Sequence, residues 1–419
     1  MTRFAPTPYL SAMNPVSKAK RVCNRLLSFI QLYGQHLPLA CGMLFSMRCK
    51  VVLLRGTING GDSLSLLYAG RGKNYHYLLK HLFEECEAVE AQKTVLPAYG
   101  RHLARLEPQA DVVVLDIGWP YHRLINRNGR YLEVPDWLNM DLELADSWEE
   151  TVRLFRHTTR RQDLRHIRLQ GYRCEATSDP AALERFYDTM YLPFIGSRHG
   201  HDAVKASRRH VIRRGRQGCL LQIFQEERVV AAGVVYPDDG VLFFLWMGMP
   251  ADCIEDPPRA AVSALYYFGI RHALDHDLWA VDFTGSRAFL NDGAFRFKRK
   301  WGAVADDSFS PSSLLIRPQN GRIAAARFCQ RFPVAARRGG TLEGLFLGLD
   351  ETIDAEWLER LNAQYGCEGI DRVTVVACSG AAGPGDPESA FVEGNVRVIA
   401  AGLGDFADHY AKQPAVPWP

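Results

Sequence analysis

The sequence predicts a mixed α/β chain of more than one domain, on three observations. At 419 residues the chain exceeds what one hydrophobic core organises, so about two to three domains are expected. From residue 50 onward, short runs rich in Val, Ile and Leu alternate with amphipathic stretches of helical period. Between residues 220 and 247, three apolar runs follow one another across short turns, and a helical stretch and a fourth apolar run come next. That order describes an antiparallel meander entering a helix-flanked sheet.

Residues 1–49 form a basic, Pro-containing leader with one expected helix over 16–33. Its apolar run, 26–45, is interrupted by Gln31, Gly34, Gln35, His36 and Pro38, which suits neither a bilayer span nor a signal peptide. A helix lying on another domain or on a membrane surface is the expectation. Residues 51–55 and 64–69 read as strands around the turn Asn59-Gly60-Gly61-Asp62. Residues 75–91 read as an amphipathic helix, 112–117 as a buried strand, and 131–144 as an extended stretch broken at Pro135-Asp136.

Ser147 with Glu150 three residues on is a capping box, which satisfies the first free amides of a helix. The helix it opens carries Arg153, Arg156, Arg160, Arg161, Arg165, Arg168 and Arg173, opposed only by Asp163. Asp179-Pro180 starts another helix, with proline where its missing N–H costs nothing. The meander strands are 220–225, 229–235 and 241–247; a helix over 258–276 and strands over 279–283 and 313–317 follow. Residues 319–342, basic and loop-rich, read as a linker. The tail, 343–419, holds a helix over 354–365, strands over 373–377 and 396–400, a Gly/Pro-rich loop and a short closing helix.

A net charge of +3 is small for this length and implies no general grip on nucleic acid. Ten cysteines without a C-x-x-C pair fit reduced thiols better than a disulfide framework or a zinc site. His199-Gly200-His201-Asp202 is compact, and His272 and His276 lie four apart, but neither has an H-E-x-x-H frame, so no metal is expected. No complete P-loop, G-x-G-x-x-G or G-x-S-x-G occurs, which leaves nucleotide hydrolysis, dinucleotide redox chemistry and serine hydrolysis unsupported. The arginines of 153–173, with Arg198, Arg208, Arg209, Arg213, Arg214 and Arg216 downstream, suit phosphate groups, which a guanidinium binds as a fork. They also suit a solvated face.

The most informative stretch is 279–303, WAVDFTGSRAFLNDGAFRFKRKWGA. It reads as an apolar strand, a Gly-Ser turn, and a run in which Phe295 and Phe297 alternate with Arg296 and Lys298. In an extended segment that alternation separates aromatics from cations.

From about residue 147 to 317 the chain resembles the Gcn5-related N-acetyltransferase (GNAT) superfamily, in its Fem-like and cellulose- and polysaccharide-biosynthesis acetyltransferase branch. The resemblance rests on TTRRQDLRHIRLQGYR, on FYDTMYLPFIGSRHG, and on VDFTGSR with DGAFRFKRKWG. It implies tandem GNAT-like lobes, each a mixed, mostly antiparallel sheet flanked by helices. The first, degenerate lobe would span 50–146 and the acyltransferase lobe 147–318. A small C-terminal α/β extension without assigned chemistry, 343–419, would follow the linker.

The implied reaction is acyl transfer from acetyl-CoA or another acyl-CoA to an amine or hydroxyl of a small-molecule, sugar or envelope-precursor acceptor. The implied place is the cytoplasm, with membrane-peripheral contact through 16–45. Asp282 would orient the acceptor or take its proton; it reads equally as a structural carboxylate at the Gly285-Ser286 turn. Ser286 and His199 join it in the expected catalytic set. Arg198, Arg287, Asp292, Phe297, Lys298, Lys300, Arg160 and Arg161 would bind donor or acceptor, and Trp301 would anchor the core. One departure stands out. Where the family's pyrophosphate-binding loop is expected, this chain has GMPADCIEDPPRA, with Glu255 and Asp256. That opposes a diphosphate at a helix N-terminus and keeps three alternatives open: an acyl carrier protein as donor, a Fem-like aminoacyl-tRNA-dependent peptidyltransferase, and a non-catalytic polyanion-binding or scaffold protein.

Overall fold

The structure is a computed structural model. It describes residues 48–72, 74–95, 99–117, 124–199, 205–308, 310, 312–379, 391–393 and 395–411. The expected leader helix and its membrane contact lie outside them, as does most of the Gly/Pro-rich loop. No helix among the described residues is long and apolar enough to cross a membrane. Two compact units are present, and they are not consecutive blocks. The first joins Met1–Leu138, Ser286–Arg296 and Asp306–Pro419; the second joins Asn139–Gly285 and Phe297–Ala305. This differs from the linear division at 146 and 318.

The first unit opens with the expected hairpin of β1 (Arg48–Ile58) and β2 (Ser63–Gly70). Gly60 and Gly61 at its tip have φ of +109 and +89, conformations costly for a side chain. α1 (Tyr75–Leu82) stops well short of residue 91. Asn59 ends it, donating its backbone N–H to Leu82 O at 3.1 Å and its side-chain amide to His81 O at 2.7 Å. Those are carbonyls that a further turn would have used. Residues rich in Glu and Ala then become β3 (Phe83–Val95), an edge strand paired along the whole of β1. Strand pairing here overrides helical propensity. α2 (Tyr99–Leu106) follows, then β4 (Val112–Asp116), parallel to β2, and β5 (Leu132–Pro135). Alternate residues Val51, Leu53, Leu67, Ala69, Val113 and Leu115 bury one face with Leu103 and Leu106 of α2, as the two-residue strand period requires.

The second unit is built on one seven-stranded sheet. After β6 (Leu138–Glu143), α3 (Trp148–Leu154) carries the expected cap: Ser147 Oγ accepts the Glu150 N–H at 3.2 Å. The arginine-rich stretch breaks at buried Phe155 and resumes through a π-helical turn, Thr159–Asp163, into α4 (Leu164–Leu169). β7 (Arg173–Thr177) precedes α5 (Pro180–Phe186), whose cap Asp179 accepts the Ala182 N–H at 2.9 Å. A second π-helical turn, Tyr187–Tyr191, leads into α6 (Leu192–His199), and α7 (Arg208–Gln217) comes next. β8 (Cys219–Gln225), β9 (Arg228–Asp238) and β10 (Val241–Gly248) form the antiparallel meander. α8 (Ala251–Glu255) and α9 (Ala261–Asp275) lead to β11 (Ala280–Ser286), α10 (Gly293–Lys300) and β12 (Val304–Asp306). The strand order is β12-β6-β11-β10-β9-β8-β7.

The basic-aromatic run is therefore a helix, not an extended segment. Asp292 caps it, its Oδ1 accepting the N–H groups of Ala294 and Phe295 at 2.9 and 3.1 Å, as an N-cap aspartate does. Burial recurs at Phe295, Lys298 and Trp301, a period of three that an alternating reading misses. Trp301 is fully buried against Phe155, edge-on at 5.2 Å, and Tyr266 at 6.0 Å; it anchors the core.

The remainder of the first unit starts with β13 (Ser313–Pro318), which lies between β4 and β5 and pairs antiparallel with both. The first sheet thus runs β3-β1-β2-β4-β13-β5, with β2–β4 its one parallel pair. Residues 319–342 are not a linker. They hold α11 (Ile323–Arg331), which buries Ala325, Ala326, Phe328 and Cys329, and β14 (Val334–Arg338). The arginines there are matched to carboxylates: Arg322 to Asp111, Arg327 and Arg331 to Asp62, Arg337 to Glu133 and Asp307, Arg338 to Glu343. β15 (Thr341–Leu349), α12 (Ala355–Tyr365), β16 (Arg372–Ser379), β17 (Phe391–Glu393), β18 (Val396–Gly402) and α13 (Phe406–Ala411) complete the chain. β15, β16 and β18 are parallel, with β14 and β17 antiparallel at the edges.

Gly269, inside α9, answers to packing. A Cβ there would stand 1.9 Å from the ring of Phe244. Gly269→Ala is expected to destabilise the protein by about 1–3 kcal/mol through overpacking. Gly100→Ala, at a helical position with nothing within 4 Å, should instead stabilise by about 0.5–1 kcal/mol. Urea unfolding of the two variants beside the parent measures both signs.

Candidate functional site

In the second unit, β10 and β11 run parallel but pair only over Val241–Phe243 and Ala280–Asp282. Both strands continue, β10 to Gly248 and β11 to Ser286, so their C-terminal halves part. The cause is visible in β10. Phe244 faces Val235 and Trp246 faces Val234, which leaves Leu245 as the extra residue of a β-bulge. A bulge kinks its strand and increases its twist. The kink falls two residues after Phe243, the last residue of β10 paired with β11. The result is a notch whose edges carry backbone N–H and C=O groups outside any β10–β11 ladder.

The far edge of the notch is a built turn. Asp282 is buried, and its Oδ1 accepts the Thr284 N–H at 2.6 Å. Thr284 has φ +64, a left-handed conformation rare for a β-branched residue. Lys298, also buried, donates from Nζ to the carbonyls of Thr284 and Gly285 at 3.2 and 2.8 Å. Asp282 and Lys298 thus both bond to this turn. Lys300 is engaged as well: its Nζ meets Asp163 Oδ1 at 2.8 Å, and the same oxygen accepts Ser263 Oγ–H at 2.7 Å.

Asp163 matters because Ser263 lies in the first turn of α9. That helix opens on Ala260 at φ +65, without a capping side chain and without an acidic residue in its first turn. Its free amides are an anion site in principle, and the Asp163 carboxylate is bonded to Ser263 there. Glu255 and Asp256 are exposed, at the end of α8 and just beyond it. Three acidic groups thus lie on α8, its C-cap and the partners of the α9 N-terminus, a poor setting for a diphosphate.

The first unit holds a separate polar cluster. Asn74, fully buried, donates its backbone N–H to Asp116 Oδ2 at 2.9 Å, and its side-chain amide to Asp116 Oδ1 and Asp136 Oδ1, both at 3.1 Å. Its Oδ1 accepts from Arg287 Nη1 at 2.6 Å. Tyr68 donates its hydroxyl to Asp116 at 2.8 Å, and burial with that carboxylate holds the phenol far above its ordinary pKa. The Arg287 guanidinium lies 4.6 Å from the ring of Tyr77 and 4.0 Å from that of Trp137. Burial draws its pKa down, against the pull of Asp136.

The residues singled out from sequence are therefore distributed between two settings. Asp282, Phe297, Lys298, Lys300, Arg160, Arg161 and Arg198 belong to the second unit; Ser286, Arg287 and Asp292 belong to the first. Phe297 packs edge-on to Tyr266 at 4.9 Å. Arg160 and Arg161 are exposed on the π-helical turn, and Arg198 lies over Phe194. Ser286 Oγ is buried without a hydrogen-bond partner. His199 closes α6, but its side chain, with Gly200, His201 and Asp202, lies outside what is described. No cluster of three or more metal-ligating side chains occurs among the described residues. Sequence reasoning missed the bulge at Leu245 and the turn at Thr284, since neither residue type announces its backbone geometry.

No protein-family model and no curated protein matches the chain. Among solved structures, FemX is similar at 12% identity over 64% of this chain and 84% of that chain, with a TM-score of 0.33. L-PGS from Bacillus licheniformis is similar at 11% identity over 78% and 97%, with a TM-score of 0.31. A GCN5-related N-acetyltransferase from Sphaerobacter thermophilus is similar at 13% identity over 60% and 71%, with a TM-score of 0.27. With scores this low, these likenesses carry no argument about chemistry. The fold is GNAT-like on its own strand order, a meander followed by a helix and a parallel strand that parts from it.

Removing Asn74 leaves two buried carboxylates and a guanidinium short of partners. Asn74→Ala is expected to cost about 3–5 kcal/mol, read as a drop in urea midpoint. In the second unit, His210 accepts from Arg213 at 3.1 Å, and burial with the nearby Arg213 and Arg214 lowers its pKa from 6.5 to about 4. The unfolded chain then binds the extra proton between those values, so this contribution is full above pH 6.5 and fades toward pH 4. Relative to His210→Gln, the parent should lose stability across that window and in no other.

Proposed function

We propose that the second unit is an acyltransferase, moving an acyl group from a thioester to an amine or hydroxyl acceptor. The observation that carries this reading is the parted β10–β11 pair with its bulge at Leu245. An extended, amide-bearing thioester arm laid in the notch would take strand-like hydrogen bonds from its edges. A backbone N–H turned outward at the bulge would face the thioester carbonyl oxygen, where negative charge grows as the acceptor attacks. The acceptor's lone pair forms the new C–N or C–O bond while the C–S bond breaks. The thiolate departs, and the acceptor's proton passes to it through solvent.

In this reading Asp282 and Lys298 are positioning residues, since both bond to the turn that borders the notch. The acceptor class follows the resemblance, a small molecule, a sugar or an envelope precursor. Donor choice follows the acidic surroundings of α9. A diphosphate would meet Asp163, bonded to Ser263 in the first turn of α9, with Glu255 and Asp256 upstream in the chain, so the thioester arm itself is the recognised part of an acyl-CoA. The same observation favours, as a second reading, a donor without that diphosphate, such as an aminoacyl-tRNA or a carrier-bound acyl group.

Calorimetry with acetyl-CoA and acetyl-pantetheine, together with thiol release in the presence of amine acceptors, tests the proposal. The two donors should bind within about threefold of each other, and Asp282→Asn should reduce kcat by about 10–100-fold with KM for the donor little changed. If neither thioester binds and no thiol is released, acyl transfer from a thioester is wrong for this protein.

A further inference from the structure

One cationic surface of the second unit is not absorbed by the acyl-transfer reading. α7 presents Arg208, Arg209, Arg213 and Arg216 within roughly 140° of its circumference. With Ile212 and Gln217 they line an open groove of roughly 800 Å³ that no described carboxylate lines. Two of the arginines occupy the first turn, where no acidic residue offsets the positive end of the helix dipole. Arg209 and Arg216 are exposed and have no ion pair or hydrogen bond among the described residues, and Arg213 meets only the ring of His210.

The fourth arginine indicates the kind of partner that fits. Arg208 is bonded to Asp188 at 2.6 Å and lies 3.6 Å from Glu184, two carboxylates four residues apart along one helix. Within the fold, an arginine at the edge of this face is thus already paired with carboxylates spaced i, i+4 on a neighbouring helix. The unengaged arginines repeat the pattern: residues 209, 213 and 216 are spaced i, i+4, i+7, a single row about 10 Å long. A single strand of nucleic acid would offer bases to stack, and no aromatic side chain among the described residues lines the groove. A bilayer would need an exposed apolar face, and Ile212, half-buried, is the one apolar residue lining it among the described residues.

We propose that Arg209, Arg213 and Arg216 dock an acidic helix of a partner protein, with carboxylates spaced i, i+4, i+7 along it. The inference stands on the charge pattern of α7 and is independent of acyl transfer. Its role would be to steer and register the partner, as charged rows do at interfaces.

The test uses the full chain and a fluorescent helical peptide with glutamates at i, i+4 and i+7, followed by anisotropy at low salt. The aligned peptide should bind at least about tenfold more tightly than a peptide of the same composition with its glutamates dispersed around the helix. Arg209→Glu/Arg213→Glu/Arg216→Glu should abolish that binding, with the thermal midpoint of these surface variants checked against the parent. Arg209→Lys/Arg213→Lys/Arg216→Lys, which keeps the charge, should retain most of it. Equal binding of aligned and dispersed peptides overturns the proposal, as does undiminished binding by the reversed variant. Tighter binding of single-stranded RNA, or of vesicles containing anionic phospholipid, than of the aligned peptide overturns it too.

Discussion

The first unit depends on one buried polar arrangement, in which Asn74 stands between the carboxylates of Asp116 and Asp136 and the guanidinium of Arg287. Two buried carboxylates repel each other and each demands donors. A single asparagine amide supplies one to each, and its oxygen then has one orientation left, toward Arg287. Three distant parts of the chain are fixed by this choice: the ends of β2 and β4, the end of β5, and the segment that follows β11. Residues 286–296 belong to the first unit although the residues on either side belong to the second; backbone bonds of Ala288 and Leu290 to Ala335 and Pro333 tie them there as well.

The second unit solves a different problem, how to leave a gap in a sheet without leaving the sheet unstable. Each device has a local cause. The bulge at Leu245 turns β10 aside, and the parted strand then needs another support. Asp282 gives it one from within the strand and Lys298 another from α10. Burying a lysine is expensive unless its hydrogen bonds are filled, and here the two carbonyls of a left-handed turn help to fill them. Lys298 of the basic-aromatic run thus supports the turn that borders the notch.

Much of this was legible in the sequence because it rests on short-range chemistry. The hairpin at Asn59-Gly60, the caps at Ser147 and Asp179, and the meander from β8 to β10 follow from neighbouring residues. The errors share a cause. Residues 83–91 favour a helix until Asn59, more than twenty positions earlier, takes the last carbonyls of α1. Residues 293–300 alternate as a strand would, and Asp292 decides the matter by capping a helix. The linker reading of 319–342 failed because basic residues look solvated until the carboxylates opposite them are known. Arg287 was singled out from sequence, but its setting was not, since Asn74 and Asp136 lie far away along the chain.

That last difficulty sharpens what the arginines can mean. Arg322, Arg327, Arg331, Arg337 and Arg338 are as many as the arginines of α7, yet each is matched to a carboxylate of its own unit. Such pairs fix geometry and contribute little net charge to the surface. On α7, Arg209 and Arg216 have no carboxylate partner among the described residues. The small total charge of the protein hides this division, because acidic residues sit beside one run and not the other. What distinguishes a row of arginines that organises the fold from one left to meet a partner is the local supply of carboxylates. Only the folded chain reveals it.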